Sequence, residues 1–89
     1  MFAHIIVSGF VQKVGYRQFV KKTARNLELN GWVKNISQGR VEAVFVGKKE
    51  KIEEALKIFK KGPFLSEVKN IDVEWEEKSP DFNSFEIIV

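Results

Sequence analysis

Gly9-Phe10-Val11-Gln12-Lys13-Val14-Gly15-Tyr16-Arg17 leads from an apolar stretch, about Ala3 to Gly9, into a segment of helical periodicity. A helix ordinarily opens on Ser, Thr, Asp or Asn, whose side-chain oxygen accepts from the unpaired N–H groups of the first turn. It also favours acids beside its positive dipole end. Neither feature is present here. Arg17 instead places a cation where the dipole is already positive, which costs about 0.3–1 kcal/mol if nothing compensates. A bound anion would supply the missing acceptor and the missing charge together. The alternative is a helix capped by water, with Arg17 directed away.

Other chemistries lack their residues. The chain has no cysteine, which removes thiol nucleophiles, Zn–thiolate sites, iron–sulfur clusters and disulfides at once. That composition suits a reducing compartment, so the expected location is the cytoplasm. His4, the only histidine, falls in the first strand with no second ligand near it in sequence, and reads as a strand residue. Ser8 and Ser37 lack the context of an activated nucleophile, and there is no Walker lysine or dinucleotide fingerprint. No cofactor and no metal are expected.

The 89 residues have room for one domain, spanning 1–89, and a monomer is the expected working state. With 44% apolar residues, among them eight Phe and two Trp, the chain can fill a core without a metal or a cross-link. No stretch approaches the roughly 20 apolar residues that would span a bilayer. The N-terminus lacks the basic region of a signal peptide and reads as a strand, so a soluble protein without membrane contact is expected. Net charge is +3 but unevenly spread. Within residues 1–41, Lys13, Arg17, Lys21, Lys22, Arg25, Lys34 and Arg40 stand against a single acid, Glu28. That half is either a solvated basic face or a field that draws anionic ligands in.

The elements that must position these residues follow from periodicity. After the first strand, Phe19, Val20, Thr23, Ala24 and Leu27 recur at helical spacing up to Leu29, and Asn30-Gly31 is expected to close that helix. Trp32–Ser37 and Arg40–Val46 read as strands joined by a hairpin across Gln38-Gly39. Ile52, Ala55, Leu56 and Phe59 mark a second helix over about Lys48–Lys61, stopped by Gly62-Pro63. Ile71, Val73 and Trp75 alternate with acids in a fourth strand, and Phe85–Val89 is a short last one. The order is βαββαβ plus a C-terminal strand. Its natural solution is an α+β, ferredoxin-like sandwich with two helices on one face of an antiparallel sheet.

Val7, Gly9, Val11, Gln12, Val14, Tyr16 and Arg17 resemble the first motif of the acylphosphatase family, Gly-x-Val-Gln-Gly-Val-x-aromatic-Arg, with Lys13 where the motif has glycine. Gly31-Trp32-Val33-Lys34-Asn35, with Gly39, Val41 and Gly47 in register, resembles its second motif. These are eight positions fixed over seventeen residues. Gly62-Pro63 and Phe85-x-Ile87 are also similar to the family. The resemblance implies hydrolysis of an acyl phosphate to a carboxylate and inorganic phosphate, without a cofactor. It places the phosphate on a cradle of backbone N–H groups from Gln12, Lys13, Val14, Gly15 and Tyr16, clamped by Arg17, with Asn35 orienting the attacking water. A set this sparse suits the reaction, because the leaving carboxylate is a weak base and phosphoryl transfer depends chiefly on positioning and charge stabilisation.

Two rival readings come from other classes. RNA-binding modules share the ferredoxin-like plan and a pI near 9.3 is compatible with them, but Arg40–Val46 lacks their basic-Gly-aromatic pattern, and no nucleic-acid partner is expected. The other is a family member without catalysis, serving as a phosphate-binding or interaction module. Such domains occur fused to larger enzymes, whereas this chain reads as free-standing, which favours the enzyme.

Overall fold

The computed structural model describes residues 1–78 and 80–88. Five strands and two helices follow in the order β1 (Phe2–Phe10), α1 (Tyr16–Asn26), β2 (Asn30–Asn35), β3 (Val41–Val46), α2 (Lys49–Lys61), β4 (Glu67–Glu76) and β5 (Phe85–Ile87). The strands form one sheet in the order β4-β1-β3-β2-β5. β1 pairs antiparallel with β3 and β4, and β2 pairs antiparallel with β3. α1 and α2 cover one face, so the ferredoxin-like plan stands. One detail differs from an all-antiparallel sheet: β5 pairs parallel with β2, Gly31 opposite Phe85 and Val33 opposite Ile87, making the sheet mixed. The last strand is three residues long, and Val89, expected to belong to it, lies outside the described residues.

Alternation along β1 buries Ala3, Ile5 and Val7 beneath the helices. α1 contributes Tyr16, Val20 and Ala24, and α2 contributes Ile52, Ala55 and Phe59, each set one stripe of a 3.6-residue period. Phe45 of β3 stacks on Phe59 at 5.2 Å and on Phe85 at 5.3 Å between ring centroids. Aromatic pairs of this kind add about 0.5–1.5 kcal/mol each beyond the area they bury. The ring column ties a short edge strand to the centre of the sheet and to α2.

α1 ends earlier than its apolar periodicity implies. Glu28, at φ 58, takes the left-handed position expected of Gly31. The Glu28 N–H donates to Arg25 O at 3.1 Å and the Leu29 N–H to Ala24 O at 2.8 Å, the paired bonds of a Schellman cap. Gly31 instead lies within β2 at φ 138, where an added Cβ would fall 1.9 Å from Val44 O. It is a glycine because the neighbouring strand leaves no room. The β2–β3 hairpin turns where expected, through Gln38 and Gly39 at φ 64 and 71. Among the described residues, no helix is long and apolar enough to cross a membrane.

Candidate active site

β1 and β2 flank β3 and are each antiparallel to it, so they run parallel to one another. Their C-terminal ends therefore meet at one end of the sheet. The loop from Val11 to Gly15 and the start of α1 leave from the first, and Asn35 closes the second. A pocket of about 350 Å³ opens there, with Lys13, Gly15, Tyr16, Arg17 and Asn35 in its wall. Arg17 and Asn35, eighteen positions apart in sequence, share this pocket because of strand order.

The N-terminus of α1 is uncapped by any side chain and carries no acid in its first turn. Gly15, the residue before the helix, sits at φ 75 and ψ 18, and an added Cβ there would meet nothing within 4 Å. The Phe19 N–H closes the first helical bond, onto Gly15 O at 3.0 Å. The amides of Tyr16, Arg17 and Gln18 precede the reach of the helical ladder, which is the arrangement that receives an anion. Lys13 adopts φ 62, a left-handed conformation for a side chain with a Cβ.

The other residues expected in the cradle divide by role, and of them Gln12 and Val14 stand outside the pocket wall. The Gln12 side-chain amide donates to Ile36 O at 3.0 Å and to Arg40 O at 2.9 Å, bracing the loop against the β2–β3 turn. Both bonds hold its side chain to that turn, so its contribution to an anion would come from the backbone. Val14 packs against the core. Tyr16 is buried, and its hydroxyl donates to Phe59 O at 2.9 Å near the end of α2. In a continuing helix that carbonyl would accept from residue 63, but Pro63 has no N–H, and the tyrosine supplies the donor instead. Burial holds the Tyr16 phenol well above its ordinary pKa. Its ring is a strut, which leaves only its backbone to face a ligand.

Gln18, Lys21 and Glu86 also line the pocket and were not among the residues the sequence singled out. The signal for Lys21 was present, since it stands four residues after Arg17 on the same helix face. For Glu86 there was none, because its place depends on the pairing of β5 with β2. The Ser84 hydroxyl donates to Glu86 at 2.8 Å and the Arg25 guanidinium at 3.0 Å. The Ser84 bond first, and then the charges of Arg25 and Lys21, hold the Glu86 carboxyl below the ordinary carboxylate value. His4 lies in β1, as expected, with Nε2 2.6 Å from a Glu42 carboxylate oxygen, and takes no part in the pocket. Among the described residues, no three His, Asp or Glu side chains gather as a metal site would require.

The family model for acylphosphatase matches residues 3–87. The acylphosphatase of Chloroflexus aurantiacus is 37% identical over 97% of this chain and 94% of the relative. That of Moorella thermoacetica is 47% identical over 84% of this chain and 81% of the relative. The crystal structure of acylphosphatase from Bacillus subtilis superposes with a TM-score of 0.96 at 36% identity, each chain covered in full.

Proposed function

The chain belongs to the acylphosphatase family and is an acylphosphatase, and from that premise we propose that Arg17 binds the phosphoryl group while Asn35 orients the attacking water. The observation that carries this reading is the meeting, in one pocket, of Arg17, an uncapped helix N-terminus and Asn35. The backbone N–H groups of the loop, Gln12 through Tyr16, together with the Arg17 guanidinium, are donors of the kind that bind phosphoryl oxygens, and Lys13, Gly15, Tyr16 and Arg17 stand in the pocket wall itself. The Asn35 side chain offers both a donor and an acceptor, which is what holding a water in one orientation requires.

Water attacks phosphorus, the bond from phosphorus to the acyl oxygen breaks, and its electron pair leaves on a carboxylate. Both water protons end on the phosphate. As charge shifts, preorganised donors stabilise the transition state more than the ground state. The pocket lies near the small end of ligand sites, which run from about 300 to 1,000 Å³, and suits a small acyl phosphate. On this reading residues 1–89 act as one monomeric domain, and their cysteine-free composition is compatible with the reducing cytoplasm.

Lys13 at φ 62, where the family motif has glycine, favours one second reading, a phosphate-binding module without turnover. Hydrolysis of benzoyl phosphate separates the two. Wild type turns it over and Arg17→Ala does not, and in the variant competitive inhibition by inorganic phosphate weakens as well. An Arg17→Ala protein that folds and keeps wild-type activity refutes the assignment.

A further inference from the structure

One wall of the pocket has no part in holding phosphate or water. Lys21 lies one turn beyond Arg17 on α1, and its side chain is only 26% exposed. Its ammonium is 3.7 Å from Oε1 of Glu86. Glu86 is at odds with its surroundings, a carboxylate in the wall of a pocket whose other charges are Lys13, Arg17 and Lys21. For binding an anion it is unfavourable, yet it is firmly held. Ser84 and Arg25 both donate to Oε2, which leaves Oε1 facing Lys21. An exposed pair of this length contributes little to stability, since ordering the lysine offsets the attraction. Its consequence is local, a second cation kept in the pocket that Arg17 also lines instead of extended into solvent.

We propose that Lys21 is a further catalytic residue that receives the leaving carboxylate, and that Glu86 is a positioning residue that keeps the Lys21 ammonium in the pocket. This rests on the assignment of phosphate to Arg17 and water to Asn35. The acyl oxygen is the part of the substrate that neither of them takes, and of the other polar residues in the wall, Lys13, Gln18, Lys21 and Glu86, Lys21 is the half-buried cation held by a carboxylate. Negative charge grows on that oxygen as its bond to phosphorus breaks, so an ammonium there interacts more strongly with the transition state than with the substrate. No proton is transferred to the leaving carboxylate in this step. Lys21 stabilises the departing electron pair as a hydrogen-bonded ion pair.

The test is a series of ring-substituted benzoyl phosphates that differ in the acidity of the benzoic acid released. In wild type the rate depends weakly on that acidity. Lys21→Met lowers kcat by roughly ten- to a hundredfold, the range expected for losing one hydrogen bond to a charged group, and steepens the dependence on leaving-group acidity. Lys21→Gln does the same should the methionine variant fold poorly, and Lys21→Arg restores the shallow slope. Glu86→Gln lowers kcat in the same direction. If Glu86 merely repelled anions, that variant would instead lower KM and leave kcat unchanged. A slope that stays the same in both Lys21→Met and Lys21→Gln overturns the proposal while the Arg17 and Asn35 assignments stand. A wild type that turns over no member of the series overturns the catalytic reading and the proposal with it.

Discussion

Lys13→Gly isolates the strain in the loop before α1. At φ 62, Lys13 holds a left-handed conformation that costs a residue with a Cβ about 1–2 kcal/mol, because the Cβ crowds the following carbonyl oxygen. Glycine removes that crowding but gives up about 0.5–1 kcal/mol more backbone entropy on folding. The difference is a net gain of about 0.5–1 kcal/mol for the variant. With an unfolding entropy of about 2.1 cal/mol/K per residue, a chain this long should rise by roughly 3–5 °C in Tm. Thermal unfolding followed by circular dichroism reads the shift. Lys13→Ala is the control, since it removes the same ammonium and keeps the Cβ, and its Tm should not rise. Turnover of benzoyl phosphate is present in wild type and rises modestly at most in Lys13→Gly. Equal Tm shifts in the glycine and alanine variants would assign the effect to lost charge and refute the backbone argument. An inactive wild type rescued by Lys13→Gly would make the natural chain a phosphate-binding module.

Asn35→Ala is expected to lower kcat by about 10²-fold or more, the scale of losing one well-aimed polar group, while inhibition by phosphate stays nearly unchanged. An equal loss of phosphate affinity in steady-state inhibition assays would contradict the division of labour between Arg17 and Asn35. Gln12→Ala removes both bonds to the β2–β3 turn and should destabilise the fold by about 1–2 kcal/mol in urea titrations, with kcat/KM falling as the loop loses its brace. Unchanged values of both would show the brace to be idle. EDTA should leave the rate unaltered, because the leaving carboxylate needs no Lewis acid and, in the proposed mechanism, Arg17 balances the negative charge of the phosphoryl oxygens. A loss restored by a divalent ion would count against the mechanism.

Periodicity and chain breakers were enough to order the elements, because an amphipathic helix and a half-buried strand each write their own period into the sequence. The same local physics exposed the α1 entry, where a missing cap and a misplaced arginine are visible without any partner. The motif similarity carried Asn35, for which no local argument existed. What the chain left open depends on neighbours distant in sequence. Glu28 and not Gly31 turns the chain out of α1, and Gly31 is fixed by the carbonyl of Val44 on another strand, a clash no local pattern records. The expected place of Tyr16 concerns its backbone alone; that its ring is a strut follows only when Pro63 is seen to leave the Phe59 carbonyl without a donor. Glu86 enters the pocket through a parallel pairing of β5 at the far edge of the sheet from β4. A residue's period tells which face of its element is apolar, but which element covers that face, and at what register, is set by packing among segments remote in sequence. For that reason the unusual entry to α1 was legible in the sequence, and the place of Glu86 in the same pocket was decided only by the tertiary structure.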